Sequence, residues 1–193
     1  GGNGMQTAGI CGFMAKDEGN LIQFCVNYGH ISCPTGRTGG LVATLMNGNV
    51  KNSDNRGTVE DDIVGKFEGA AAQNSYNSKR MGGLIGGTDD LKKVLTATVE
   101  SCTNYGNVFT HIGCRTGGFI GHSNIRIIGC ANQGAILGDV YNSDHGPAWA
   151  CGYSGQSSGE WVNVSSCTMG GYVGSYTTYK DNPTSAPAAT VHN

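Results

Sequence analysis

The side chains in this chain that could do chemistry are few, and most of them suit binding better than catalysis. Arg37 and Arg115 hold equivalent places, each followed by Thr-Gly-Gly, and two guanidinium forks on one face would suit an acidic glycan. The plainer reading of the pair is solvated side chains beside turns. Trp149, Tyr153, Trp161, Tyr172 and Tyr176 gather toward the C-terminus. Such rings make flat apolar platforms with polar edges for sugars or protein surfaces, or else close the open end of the fold. These seven are the candidate ligand-binding residues. Glycan cleavage would need carboxylates roughly 5–10 Å apart across a groove. Asp61-Asp62 and Asp89-Asp90 are sequence neighbours, and on a strand each pair would point to opposite faces. No catalytic residue is assigned, although acids on different segments could still cooperate.

Metal and phosphate chemistry find little footing. There is no CxxC and no HxxxH, and His30, His111, His122, His145 and His192 are scattered, so neither a metal nor a cofactor is expected. Gly82-Gly83-Leu84-Ile85-Gly86-Gly87 has neither the GxGxxG spacing nor a Gly-Lys-Ser/Thr ending. Of the eight cysteines, Cys25, Cys102 and Cys130 share one recurring position with Ser53, which Cys167 continues, and Cys33 and Cys114 share another. Interchange of small residues at one position implies packing, so most thiols are expected reduced and buried. Cys11 with Cys25, and Cys151 with Cys167, are the pairs to examine for a bridge. Burial raises a thiol's pKa, which argues against a cysteine nucleophile.

What must position these residues is a repeat. Ala8-Gly9-Ile10, Gly39-Gly40-Leu41-Val42, Gly82-Gly83-Leu84-Ile85 and Gly117-Gly118-Phe119-Ile120 are each answered by a phrase of the form Cys/Ser-x-Asn-x-Gly-x-Ile/Val. The phrases begin at Cys25, Ser53, Cys102 and Cys130. Cys25 to Ser53 and Cys102 to Cys130 are both 28 residues, and Cys25 to Cys102 and Ser53 to Cys130 are both 77, so two coils make the larger unit. Repeats of this size with one strand-forming phrase per unit signal stacked coils that bury each other's apolar faces.

The expected fold is therefore all-β, a mainly parallel right-handed β-solenoid (β-helix) of about five irregular coils. These cover about residues 8–37, 38–60, 81–115, 116–140 and 148–176, each with two or three strands of three to five residues. An antiparallel β-sandwich is the alternative. Parallel strands about 4.8 Å apart would let Asn27, Asn55, Asn104 and Asn132 bond one another in a ladder, with Gly29, Gly57, Gly106 and Gly134 taking a positive φ two residues later. Residues 60–80 form an insert with room for a short helix near Ala70 to Gln73, and residues 87–98 a smaller one. Residues 181–193 read as a linker-like tail, and the whole as a single domain that is part of a longer chain.

Composition agrees. The chain has 193 residues, 12 basic against 14 acidic for a net charge of −2, 33 glycines and 13 per cent charged residues. The absence of a basic run speaks against nucleic acid. No stretch approaches the roughly 20 apolar residues of a bilayer span, so no membrane insertion is expected. The start, Gly-Gly-Asn-Gly-Met, lacks a signal peptide, which is expected to have been removed or to lie outside this sequence.

The Gly-Gly-Leu-Ile-Gly and Cys-Thr-Asn-Tyr-Gly-Asn-Val phrases resemble the glycine-rich GLUG-type repeats of surface and secreted proteins of Bacteroidetes and Firmicutes. The resemblance covers residues 8–136 well and 148–174 weakly, with Ser53 and Ala43 departing from the pattern. It implies an extracellular, secreted or cell-surface β-solenoid module, adhesin-like or glycan-associated, whose partner is a polysaccharide or a surface protein. It carries no catalytic motif. The reading is a non-catalytic scaffold or adhesion-like module, with a β-helical polysaccharide-active enzyme, a lyase or a glycoside hydrolase, as the alternative.

Overall fold

The chain winds into a parallel β-solenoid. The computed structural model describes residues 5–15, 19–33, 36–60, 80–88, 97–110, 115–123, 125–138, 149–151, 154–157, 164–170 and 173–175. The first coil holds β1 (Gln6–Ala8), β2 (Cys11–Met14), β3 (Leu21–Gln23), β4 (Val26–Asn27) and β5 (Ile31–Ser32). The second holds β6 (Arg37–Gly39), β7 (Val42–Leu45), β8 (Asn49–Lys51), β9 (Asp54–Asn55) and β10 (Val59–Glu60). In the third are β11 (Arg80–Gly82), β12 (Ile85–Gly87), β13 (Thr98–Glu100), β14 (Thr103–Asn104) and β15 (Val108–Thr110). The fourth contains β16 (Arg115–Gly117), β17 (Ile120–Ser123), β18 (Arg126–Ile128), β19 (Ala131–Asn132) and β20 (Ile136–Gly138), and the fifth β21 (Trp149–Cys151), β22 (Ser154–Ser157), β23 (Val164–Ser165), β24 (Thr168–Met169) and β25 (Val173–Ser175).

Each strand pairs in parallel with its counterpart one coil away, giving five sheets of five strands. Five strands per coil replace the expected two or three, and they are two to four residues long. Such short pieces pair because the coil below supplies a template, not because each carries a strand-length periodicity of its own.

Two apolar columns fill the interior. Val42, Ile85 and Ile120 lie in register, as do Val50, Val99 and Ile127, and together with Leu41, Leu84, Phe119 and Ile125 they form the larger core. Ile31, Val59, Val108 and Ile136 stack on the opposite side with Met81. Phe119, Leu84, Ile85 and Ile120 are almost wholly shielded from water, and burying each stabilises the fold by roughly 1.5–3 kcal/mol before the entropy of ordering is subtracted.

The predicted asparagine ladder is present. Asn27 Nδ2 donates to Asn55 Oδ1 at 2.8 Å, Asn55 to Asn104 at 2.8 Å and Asn104 to Asn132 at 2.7 Å. The second hydrogen of each amide goes to the carbonyl two residues on, at Gly29, Gly57, Gly106 and Gly134. The carboxamides rest against the Gly-Gly bends of their own coils: a Cβ on Gly83 would come within 2.3 Å of Asn104 Cγ, and one on Gly40 equally close to Asn55 Cγ.

The conformation expected of the next glycines is corrected. Gly29, Gly57, Gly106 and Gly134 do not adopt positive φ. They are glycine because successive backbones nearly touch there, a Cβ on Gly106 falling 1.9 Å from the Gly57 carbonyl oxygen. A left-handed residue recurs instead in every coil just before the Cys/Ser position: Phe24 (φ 57), Asn52 (46), Ser101 (53), Gly129 (60) and Ser166 (54). The turn is closed by the following side chain, with Cys25 Sγ donating to Gln23 O, Ser53 Oγ to Lys51 O, Cys102 Sγ to Glu100 O and Cys130 Sγ to Ile128 O. A small hydrogen-bonding side chain is what that corner needs, which is why serine and cysteine interchange.

Candidate functional site

Two neighbouring strands of each coil build the site. The chain runs along the first sheet, bends at Gly-Gly and returns along the second. The bend is tight because a Cβ on Gly82 would meet the Ile85 carbonyl oxygen at 1.9 Å. On the first sheet Arg37, Arg80 and Arg115 are in register, one per coil. At the strand spacing, about 4.8 Å per coil, Arg37 and Arg115 stand roughly 9–10 Å apart along the axis. Arg80 fills the step between them. All three are half-buried.

Facing this column on the second sheet is a row formed by Phe13, Thr44, Gly87, His122 and Gln156. The two meet at Gly87, where a Cβ would lie 3.0 Å from Arg80 Cδ. Arg80 reaches past it, its Nη1 donating to the carbonyl oxygen of Thr88.

His122 is 2% exposed, and neither ring nitrogen has a hydrogen-bond partner. The buried hydroxyls of Thr44 and Thr88 are likewise without partners. Burial first, then the positive charges of Arg80, Arg115 and Arg37, push the imidazole's pKa down to about 3, so it is neutral at ordinary pH. Thr38 and Thr116, also buried with unpartnered hydroxyls, flank Met81 in the next row of the first sheet. Since buried polar atoms are nearly always satisfied in folded proteins, such a concentration marks a place where folding alone did not choose the residues.

Several outward-facing polar side chains have partners within the protein. On the outer face Arg56 places its guanidinium carbon 4.7 Å from the Tyr105 ring centre and 5.8 Å from that of Tyr28, and pairs with Asp54. His30 meets Glu60, and Lys51 meets Glu100.

The thiol row runs Cys25, Ser53, Cys102, Cys130, Cys167. Cys130 N donates to Cys167 Sγ at 3.3 Å, and Cys25 N to Ser53 Oγ at 3.1 Å. Cys11, Cys25, Cys33, Cys102, Cys130 and Cys167 form no disulfide, which removes both bridges considered from sequence, since Cys11, Cys25 and Cys167 would each be needed. The hydrogen bond with Cys102, helped by burial, pushes the Cys130 thiol up to about 12. That bond lowers Cys102 in turn, with burial opposing, and Cys167 is raised chiefly by its bond with Cys130. These are hydrogen-bonded structural thiols. Among the described residues no group of three or more His, Cys, Asp or Glu comes together to hold a metal, and no helix is long and apolar enough to cross a membrane.

Of the seven candidates, the structure brings Arg37, Arg115 and Trp149 into one row, because β21 sets Trp149 directly against Arg115 in register. Tyr153, Trp161, Tyr172 and Tyr176 lie outside the described residues, as do the possible helix near Ala70 to Gln73, both aspartate pairs and the tail. Sequence reasoning missed Arg80 and His122. The signal for Arg80 was available: Arg80-Met81-Gly82-Gly83 matches Arg37-Thr38-Gly39-Gly40 once Met is allowed for Thr. It missed the outward row too, though Tyr28 and Tyr105 stand in the quoted repeat phrase.

Comparison of the chain with protein families, with curated proteins and with solved structures finds no match in any of the three. The geometry of the site therefore stands on its own residues.

Proposed function

We propose that this chain is a non-catalytic, extracellular scaffold or adhesion-like module of a bacterial surface or secreted protein, and that its outward-facing rows bind a surface glycan or protein. One observation carries this reading. The inward positions are committed to the ladder, the close-packed glycines and the thiol row, whereas the outward positions of the early coils hold apolar and aromatic side chains that folding does not require. Phe24 and Tyr28 are 74% and 73% exposed, and Leu21, Val26 and Tyr105 are exposed as well. At the places where the first coil has Leu21 and Val26, later coils have Asn49, Thr98 and Arg126, and Asp54, Thr103 and Ala131. Contiguous exposed apolar surface of this kind marks interaction sites in soluble proteins. The resemblance to GLUG-type repeats supports the extracellular setting, and Trp149 stands in register with Arg115 in the fifth coil.

The test is a panel of host and plant polysaccharides and surface-protein extracts. Retention without product is the expected result, weakened by Tyr28→Ala with little change in melting temperature. Release of reducing ends or unsaturated uronides would replace this reading with that of a β-helical polysaccharide-active enzyme.

A further inference from the structure

We propose that the first coil is the pairing surface of a two-fold dimer, in which the N-terminal edge of the solenoid meets the same edge of a second copy of this chain. Three observations converge on it. The first is that the core rows lie open at this end. Ile10 holds the place taken by Leu41, Leu84 and Phe119 in the next three coils, each bonded through its backbone to the coil that follows. Those three are almost wholly shielded, whereas Ile10 is 41% exposed. Phe13 is in register with the buried Thr44 and is 46% exposed. Cys11 and Ile22 are half-buried, while Val42 and Val50, their counterparts in the second coil, have no exposure. Of the large apolar side chains exposed among the described residues, all but Tyr105 belong to the first coil.

The second observation concerns the edge. Strands β1 to β5 each end their sheet, so among the described residues no strand pairs with the far side of any of them. Natural proteins usually guard an open edge with charge. The described residues of the first coil include no Asp, Glu, Lys or Arg, whereas the second coil carries Arg37, Lys51, Asp54, Arg56 and Glu60. Lys16, Asp17 and Glu18 lie outside the described residues. An apolar edge without charge is complementary to itself: a two-fold axis sets like patch on like patch, and nothing there repels.

The third observation selects the occupant. Inside the stack, the backbone N–H groups of Gly57, Gly106 and Gly134 donate to the Asn carbonyl of the coil before. In the first coil Gly29 N donates instead to Asn27 Oδ1 at 3.0 Å, so the ladder is closed there by its own backbone. At the other end of the molecule Met169 stands in register with Asn132 and has no amide to offer Asn27, which disfavours stacking of the fifth coil of one copy on the first coil of the next. An edge finished in its ladder but not in its apolar rows suits a partner that brings apolar side chains and an open strand edge, as a second first coil does. Because the two edges then cover each other, association stops at two. The inference goes beyond the surface-module reading and does not rest on it, since it uses the axial end rather than the outward rows.

Sedimentation velocity of the purified chain over a wide concentration range tests the proposal. A reversible monomer–dimer equilibrium with no larger species is expected. Phe13→Lys and Ile10→Lys each enter a two-fold interface twice, and each should weaken dimerisation by at least about tenfold. Tyr105→Ala, on the outward face of the third coil, should leave it unchanged. If the lysine variants fold poorly, hydrogen exchange of the parent chain decides: residues 6–14 and 21–32 should gain protection as concentration rises, and residues 126–138 should not. A monomer at every concentration, species that keep growing beyond the dimer, equal weakening by Tyr105→Ala, or protection gained elsewhere would overturn the dimer. A dimer that retains no glycan or surface protein would leave this inference standing and remove the surface-module reading.

Discussion

The asparagine ladder and the row through His122 are both polar rows in one solenoid, built by the same stacking rule, and they end in opposite states. In the ladder seven of the eight carboxamide hydrogens of Asn27, Asn55, Asn104 and Asn132 donate to an acceptor within the protein, at 2.7–3.0 Å. Around His122 the imidazole nitrogens and the hydroxyls of Thr44 and Thr88 are buried with none. A repeat makes satisfied ladders easily, because an amide carries donor and acceptor on one group and copies of it bond each other. Guanidinium has only donors, so copies of it cannot. A column of arginines is therefore satisfied by groups outside the column, as Arg80 is by the carbonyl oxygen of Thr88.

The sharpest way to break the contrast is at the glycine beside the ladder. Gly106→Ala would push a methyl to 1.9 Å from Gly57 O, whereas at Gly29, in the first coil, the nearest described atom is Asn27 Oδ1 at 3.4 Å. Gly106→Ala should cost at least about 4 kcal/mol or abolish cooperative unfolding. Gly29→Ala should be mild. Comparable losses from both, read by urea denaturation, would show that coil-to-coil contact is not the reason for glycine.

Next in size is the ladder itself. Asn104→Leu strands the Asn55 amide donor and the Asn132 carbonyl oxygen, and should cost roughly 2–4 kcal/mol. His122→Leu breaks no hydrogen bond in the protein, so it should cost less than about 1 kcal/mol or stabilise. Equal losses would erase the distinction between the two rows.

Acid sharpens it further. His122 has a folded pKa of about 3 against 6.5 for an ordinary histidine, so between those values the unfolded chain binds a proton that the folded chain does not. Stability from this group is complete above pH 6.5, falls as pH drops below it, and is fully lost by about pH 3. At pH 5 the loss is about 2 kcal/mol. The difference in stability between His122→Leu and the parent chain should widen in the variant's favour by that amount between pH 7 and 5. A constant difference would contradict the burial of an unpaired imidazole.

The smallest effect belongs to the first coil. Phe24 holds φ 57 where later coils have Asn52, Ser101, Gly129 and Ser166, and a bulky residue is strained there. Phe24→Asn should gain up to about 1 kcal/mol while reducing retention by surface partners. A loss of stability would mean that the ring is packed rather than presented.

The ladder was legible in the sequence because Asn27, Asn55, Asn104 and Asn132 are identical and regularly spaced, and identity at one position is what self-pairing requires. The left-handed corner was not, because its occupants are Phe, Asn, Ser, Gly and Ser: what is conserved there is a backbone angle. The five strands per coil were hidden for a related reason, since pieces such as Val26–Asn27 and Asp54–Asn55 are too short to show alternation and exist only as pairs. Half of the candidate site could be read. Arg37 and Arg115 announced themselves through their shared Thr-Gly-Gly, but Met81 masked Arg80. His122 was set aside as a scattered histidine because its neighbours in the row are Thr44, Gly87 and Gln156, and a site assembled from unlike residues leaves no repeat.

The account turns on His122 being a buried, neutral, unpaired ring facing the positive charge of Arg80, Arg115 and Arg37. Its protonation, followed by NMR of the imidazole carbon and nitrogen signals from pH 7 to 3, tests this most directly. The prediction is a ring still neutral at pH 5, with a midpoint at about 3. A midpoint near 6.5 would contradict it.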